Sequence, residues 1–291
     1  TATYIAKNSE NFFERTLMRM GAGLGVFIVL SLLLNLLHVP LDWKVFLVLS
    51  LSFPAYRLIK NKAKKLFICG DDTIVECLAC QQVRTESQLQ AKRKNVYGKG
   101  DISVYVEKED RFRELFCHVI SFIQRFINSG TLVDIGAGVG LLVDEAKKAG
   151  FDAIGFEPSK AAVLAAKKCF GVTLINYEFH KATPWPLARG GLGNPKTWNG
   201  DDRTLVDTIV VNHVLEHVEN PKILLSDVAD SIQNNGFLFI GVPNFDSFMA
   251  QLKKGRWQSL IPDQHRWHFT LSTLDALVTR FGFQRVGATY E

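Results

Sequence analysis

Asp134, Gly136, Gly138, Gly140 and Glu157 are the residues of this chain whose types and spacing point most directly to chemistry. They fall in Thr131-Leu-Val-Asp-Ile-Gly-Ala-Gly-Val-Gly140, an apolar run entering a glycine-rich turn, and in the following run Ala153-Ile-Gly-Phe-Glu-Pro158. Glycines at alternate positions, with Ala137 between them, accept positive φ and let backbone amides come close to a ligand. Glu157 lies 17 positions after Gly140, where a carboxylate can accept hydrogen bonds from two ribose hydroxyls, and Pro158 follows it. Read from Gly136 the spacing is G-x-G-x-G, without the third glycine position of a dinucleotide fingerprint. Asp134 stands two residues before that turn, where its charge would repel a pyrophosphate and suit an ammonium group or hydroxyls. No Walker lysine follows, which excludes a P-loop.

A second constellation lies in Leu205-Val-Asp-Thr-Ile-Val-Val-Asn-His-Val-Leu-Glu-His-Val-Glu-Asn-Pro221. If the turn after Asn212 is helical, His213, Glu216 and His217 share one face. Two imidazoles and a carboxylate can bind a divalent metal or supply a base, and they can equally bond to backbone in a structural turn. His265 and His268 follow in Pro262-Asp-Gln-His-Arg-Trp-His-Phe-Thr270 and can reach the same crevice. The catalytic candidates are therefore His217, His268, His213 and His265, with the first two favoured as general base. No residue is assigned as a metal ligand. Trp257 and Trp267 either line an apolar acceptor pocket or serve packing. Cys77-Leu-Ala-Cys80, eight residues after Cys69, has the spacing of half a zinc knuckle. With no second half, reduced thiols are the favoured reading, and five cysteines make no disulfide framework here.

The elements that must position these residues are read from periodicity. Apolar runs at 131–135, 153–156, 172–175, 205–211 and 236–242 alternate with helical patterns at 141–148 and around Ala161–Ala165. That alternation predicts βαβ units and a parallel sheet covered on both faces, with its ligand at the carboxyl ends of the central strands, where Asp134, Glu157 and Asn212 fall. Phe112, Leu115, Phe116, Val119, Ile120, Ile123 and Phe126 recur three and four apart, one stripe of a helix over 110–128 packing on the sheet. The stretch Tyr177–Thr204 is long for a connection and is expected to overhang the crevice as a substrate lid.

The order and spacing of these segments resemble the class I S-adenosylmethionine (SAM) methyltransferases. Asp134-x-Gly-x-Gly-x-Gly is similar to their motif I, and Val214-Leu-Glu-His-Val218 with Pro221 looks like the fourth-strand turn of the ubiquinone-biosynthesis-like and small-molecule subgroup. Gly236–Asn244 looks like the fifth strand, and His265-x-x-His-Phe-Thr270 with Gly282-Phe283 like a later stretch of that subgroup. The resemblance covers most of 110–290 and implies an α/β, Rossmann-like doubly wound sheet with SAM as cofactor. It places the methionine part of SAM against Asp134, Gly136, Ala137, Gly138 and Gly140, the ribose at Glu157 and Pro158, and Asn212 and His213 beside the ligand. The acidic residue that often contacts adenine should fall near Asn176–Glu178, where no clear aspartate stands, and that assignment is open. Ubiquinone-pathway relatives are associated with a divalent cation at the fourth-strand turn. His213 stands where they carry a carboxylate, which puts a hard cation such as magnesium in doubt. The family sheet closes with an antiparallel hairpin, of which Phe283–Ala288 supplies one run before the sequence ends at Glu291.

Composition shifts sharply ahead of this region. Met20–Leu41 carries no formal charge, and after Pro40-Leu-Asp42 a second apolar stretch runs from Trp43 to Ile59. About 20 apolar residues cross a bilayer core, so a two-helix transmembrane hairpin is expected over 20–60. Lys7, Arg15 and Arg19 precede it and Arg57, Lys60, Lys62, Lys64 and Lys65 follow it, which puts both ends and the catalytic region on the cytoplasmic face of the membrane. This basic collar accounts for the net charge of +5 and suits anionic headgroups; without interleaved aromatics it does not suggest nucleic acid. The expected divisions are a cytoplasmic segment 1–19, the hairpin 20–60, a linker 61–108 containing the CxxC, and a methyltransferase domain 109–291. The expected function is a membrane-anchored methyltransferase acting on oxygen of a hydrophobic or lipid-linked acceptor: a quinone precursor, isoprenoid, lipid or lipid-linked sugar. The alternative is a non-catalytic subunit that scaffolds a membrane protein complex.

Overall fold

The computed structural model describes residues 5–7, 63–86, 99–179 and 205–289. The expected hairpin at 20–60 and most of the expected lid lie outside the described residues. No described helix is long and apolar enough to cross a membrane.

A three-residue strand, β1 (Ile5–Lys7), opens the described structure. Residues 63–85, expected to be linker, instead form an antiparallel meander of β2 (Ala63–Cys69), β3 (Asp72–Cys77) and β4 (Val83–Thr85). Thr73, Ile74 and Val75 supply a β-branched centre, and Gly70, at φ 59°, makes the turn between the first two strands. Ile74 and Val83 are buried against Leu260, with Phe67, Phe245 and Trp257 around them.

Helices α1 (Lys99–Glu107) and α2 (Glu109–Ile123) follow. The stripe read from sequence lies on α2 as far as Ile123, where the helix stops short of the expected end at 128 and leaves Phe126 in the following turn; α2 buries Val119, Ile120 and Ile123. Then come β5 (Gly130–Ile135), α3 (Leu141–Lys148), β6 (Phe151–Phe156), α4 (Lys160–Phe170), β7 (Val206–Asn212), α5 (Pro221–Ser231) and β8 (Ile232–Gly241). Local sequence sets their ends. Ser159 accepts from the Ala162 amide to cap α4, and Asn220 caps α5 with Pro221 in its first turn.

The four strands are parallel in the order β6-β5-β7-β8, and a single parallel bridge, Phe156 to Ile175, extends them outward. From β5 the chain leaves toward β6 on one side, while β7 pairs on the other. Between them lies the switch point at which an open α/β sheet opens its ligand crevice. This is the Rossmann-like sheet that the resemblance implies. Leu132, Val133, Ile209, Val210, Leu238 and Phe239 are fully buried along it.

The chain ends through α6 (Phe248–Lys253), β9 (Trp267–His268), α7 (Leu271–Val278) and β10 (Phe283–Gln284). Strand β9 pairs antiparallel with β4, setting Val83 opposite His268 and Arg84 opposite Trp267. The meander is thereby joined to the segment that follows the parallel sheet. Strand β10 pairs with β1.

Candidate functional site

Gly136, Gly138 and Gly140 have φ of 74°, 56° and 80°, the left-handed conformation that their sequence pattern anticipates. At Gly136 a Cβ would also come within 2.4 Å of Val214 Cγ2. The turn is locked onto the end of β6, because the Gly136 and Ala137 amides both donate to the Phe156 carbonyl, at 2.8 and 3.0 Å. Glu157 completes the lock. Its Oε2 accepts from the Gly138 amide at 2.9 Å and its Oε1 from the Ser159 amide at 2.7 Å.

Asp134 is buried at the end of β5 and borders a cavity of about 150 Å³ with Gly136, Ala137, Gly138, Asn212 and His213. No described residue donates a hydrogen bond to its carboxylate. Burial first, then the charge of Glu157, holds its carboxyl well above the usual range. Sites for small ligands run from about 300 Å³ upward, so this cavity takes part of a nucleoside-sized ligand as it stands. Tyr105, Phe112, Leu115 and Phe116 from α1 and α2 close the cavity's other side. These four were not assigned to the site from sequence. The signal was present in the aromatic stripe of α2, which reads as packing until the sheet is in place. Pro158 is exposed and lies away from the cavity wall. Asn176, at the position left open for an adenine contact, donates to the carbonyls of Glu157 and Pro158, at 3.0 and 3.1 Å.

The segment after β7 is a turn and not a helix, with His213 at φ 54°, a strained value for a residue with a Cβ. His213 is the candidate histidine that lines the cavity, and its Nδ1 lies 3.1 Å from Glu216 Oε1. A carboxylate only accepts, so that nitrogen carries the proton. Glu216 is fully buried. Burial opposes its charge, but the His213 hydrogen bond and the neighbouring imidazoles outweigh it and hold the carboxyl below its usual range. His217, half-buried, turns its Nδ1 to the Gln264 carbonyl at 3.2 Å, and its ring meets that of His265 edge-on at 4.6 Å.

His265 and His268 are both buried and neutral, their pKa values pushed down to about 4 and about 3, chiefly by desolvation. His265 joins Glu216 and His217. His268 does not; its Nε2 is 2.8 Å from Thr85 Oγ1, whose own proton goes to the His265 carbonyl. The Nε2 of His268 is therefore the donor, and this ring bonds the meander to β9 and lines no part of the cavity beside Asp134. Trp267 donates to the Val218 carbonyl and lines a separate cleft of about 450 Å³ with Cys77, Cys80 and Arg84, whereas Trp257 packs on Phe245. Burial works against the Cys77 thiolate, but the backbone amides of Cys80 and Ala79 outweigh it and lower that pKa. Among the described residues the cysteines form no group of three that could hold a metal.

Residues 108–287 match the family model described as a methyltransferase domain. None of the curated proteins matches the chain. Among solved structures, the chain is similar to a SAM-dependent methyltransferase of Thermotoga maritima, described as a possible histamine N-methyltransferase, at 19% identity and TM-score 0.41, covering 63% of this chain and 81% of that one. It is similar also to a SAM-dependent methyltransferase of Archaeoglobus fulgidus, at 19% identity and TM-score 0.45, covering 62% and 74% of the two chains. A plantazolicin methyltransferase solved with SAH shares 22% identity at TM-score 0.43, covering 62% of this chain and 68% of the other. With more than half of its length matched by the family model, the chain belongs to the methyltransferase-domain family.

Proposed function

We propose that this chain is a SAM-dependent methyltransferase, anchored at the cytoplasmic face of a membrane, that methylates oxygen on a hydrophobic or lipid-linked acceptor. The observation that carries the cofactor is Asp134: a buried carboxyl, bonded by no described residue, at the lip of a glycine turn and beside a second buried acid. A cationic ligand relieves that arrangement, and an ammonium group on a nucleoside fits it. SAM, when bound, supplies an electrophilic methyl on a sulfonium. Asp134 would hold the ammonium of its methionine part. Glu157 would exchange a backbone amide for ribose hydroxyls, and Asn212 would flank the ligand from β7. Methyl transfer is an in-line displacement, so holding the acceptor in line supplies much of the rate. Where the acceptor is a hydroxyl, His213 on the cavity wall is placed to take its proton, oriented through Nδ1 by Glu216.

The anchor rests on the uncharged run Met20–Leu41 and its basic flanks. A second reading, a non-catalytic scaffold in a membrane complex, is favoured by two features. The cavity is small, and both oxygens of Glu157 are already satisfied by the chain's own amides. Calorimetric titration of the detergent-purified full chain with SAM and SAH, beside Glu157→Ala, separates the two. Micromolar binding that the variant loses is the expected result. A folded wild-type chain that binds neither ligand would favour the scaffold reading and direct the search to membrane partners.

A further inference from the structure

We propose that the cleft beside Arg84 is a binding site for a small phosphate ester, whose phosphoryl group meets Arg84, Lys222 and Arg280 and whose apolar part lies against Trp267. The cleft holds about 450 Å³, against about 150 Å³ for the cavity beside Asp134, and the two share no lining residue. That volume falls within the range of small-molecule sites, about 300–1,000 Å³. Remote parts of the chain build it. The β3–β4 hairpin gives Cys77, Cys80 and Arg84, the start of α5 gives Lys222, β9 gives Trp267, and α7 with the turn after it gives Leu277 and Arg280.

Three cations line the cleft, and no described carboxylate pairs with any of them. Arg84 is the most informative. It is half-buried, and its Nε is shielded from solvent without a hydrogen-bond partner. Folded proteins rarely leave a buried polar nitrogen in that state without a use. A guanidinium presents its donors as a planar fork that matches two phosphate oxygens, and Arg84 can turn that fork to a ligand. Lys222 and Arg280 are exposed at the rim, where long side chains can swing onto the same group. The acid at the rim, Glu219, is mostly exposed and lies 3.9 Å from the Arg266 guanidinium, so it offsets little of this charge. In the first turn of α5 the Lys222 amide is already taken by Asn220, which leaves recognition to the side chains.

The other wall is apolar. Trp267 stands opposite Arg84 in the β4–β9 pairing, so the two side chains share one face of the ladder. Its indole N–H is spent on the Val218 carbonyl at 2.9 Å, and only apolar ring surface is left for the cleft. Leu277 and Ala276 extend that surface. A cationic end beside an aromatic and aliphatic wall selects an ester over bare phosphate. A phosphate monoester carries about −1.5 to −2 charge at pH 7 and so matches three cations better than a carboxylate does. A soluble ester and a lipid with a phosphomonoester headgroup both present this chemistry.

The test titrates the full chain in detergent calorimetrically with phenyl phosphate, inorganic phosphate and dihexanoyl phosphatidic acid, with dihexanoylglycerol as the phosphate-free control. One equivalent of phenyl phosphate, bound more than about tenfold tighter than inorganic phosphate, is expected. It should slow alkylation of Cys77 and Cys80 by iodoacetamide but not that of Cys117 and Cys169, which lie outside the cleft. Arg84→Gln should weaken it by more than about tenfold, the worth of a charge-assisted hydrogen bond. Lys222→Gln with Arg280→Gln should do the same, and because both residues are exposed this double variant keeps the core intact. Phosphatidic acid that displaces phenyl phosphate would support the site with a lipid headgroup as its source. Phenyl phosphate that binds while the lipid does not displace it would support the site with a soluble ester. Phenyl phosphate no tighter than inorganic phosphate, or Cys77 and Cys80 left unprotected, would overturn it. Binding undiminished in the double variant would also overturn it and assign the anion to the basic collar at 57–65. The cavity beside Asp134 plays no part in these measurements, so the outcome is separate from that of the SAM titration.

Discussion

An aspartate at the buried end of a strand, two residues ahead of a glycine turn and next to a second acid, is in surroundings that favour its neutral form. Desolvation, and after it the charge of Glu157, raises the Asp134 carboxyl well above its usual range. The direction of the pH effect follows. The folded state holds a proton that the unfolded chain releases near pH 4, so this group's contribution is full below that pH and is lost as pH rises through the raised value. Asp134→Asn removes that loss. The unliganded variant should therefore gain in melting temperature over wild type as pH rises from 4 toward 9. The same change deletes the partner of a cationic ligand and should weaken SAM about ten- to a hundredfold, the worth of one charge-assisted hydrogen bond. Thermal melts across that pH range, with SAM calorimetry at one pH, check both halves. A melting difference that is flat with pH would show that Asp134 is not the group that titrates.

Between elements, the join of α2 to α3 is electrostatic at its rim. Arg113 on α2 pairs with Glu109 one turn back, at 2.7 Å, and reaches across to Asp144 and Glu145 of α3, at 2.6 and 2.5 Å. Burial alone would raise both α3 carboxyls, but hydrogen bonds from Arg113 and Lys148 outweigh it and hold them below their usual range. Lowered carboxyls stabilise the fold above their unfolded values, near pH 4, and lose that contribution as pH falls through the folded values. Arg113→Met should cost about 1–3 kcal/mol at pH 7, or roughly 2–4 °C of melting temperature per kcal/mol, with the gap from wild type closing in acid. A gap that persisted below pH 3 would assign the effect to packing and not to charge. The same helix carries Phe112 and Phe116 on the cavity wall, so loosening it should also weaken SAM.

How far such elements can be read from sequence depends on their range. Helix α2, strand β5 and the glycine turn are local. Three-and-four spacing, an apolar run and alternate glycines each encode their own geometry. The meander was hidden because Lys64, Lys65, Asp71 and Asp72 interrupt the alternation that marks a strand, and because its last partner, β9, is remote. His268 was misplaced for the same reason. Its hydrogen-bond partner, Thr85, is 183 residues away in a stretch that reads as linker. Glu216 and His217 were legible as neighbours, whereas the approach of His265 to them is set by backbone bonds from Arg266 and Trp267 to Glu216.

For the whole molecule, the spacing between the proposed anchor and the catalytic region sets what the enzyme can reach. The second apolar stretch ends at Ile59 and β2 begins at Ala63, so only Lys60, Asn61 and Lys62 intervene, a span of about 10 Å when extended. Lys64 and Lys65 are exposed at the start of β2, continuing the basic collar into the folded domain. The meander passes on this constraint through β4 to β9, close to the His265 cluster. If the apolar run spans a bilayer, so short a connection would confine the active site to its surface, where an acceptor dissolved in that bilayer would be met at a high effective concentration. Val29→Lys with Leu33→Lys places two charges in the first apolar run while leaving β1 and β2 untouched. Each charge costs about 2.5–3.5 kcal/mol at the centre of a spanning helix, enough to prevent insertion. The double variant should remain at the bottom of a flotation gradient with vesicles containing anionic lipid and bind SAM within about twofold of wild type. It should also lose more than about tenfold in turnover of an acceptor presented in those vesicles. A variant that still floats would show that the apolar run is not the anchor. One that fails to float yet methylates the embedded acceptor at the wild-type rate would show that confinement to the surface contributes nothing to catalysis.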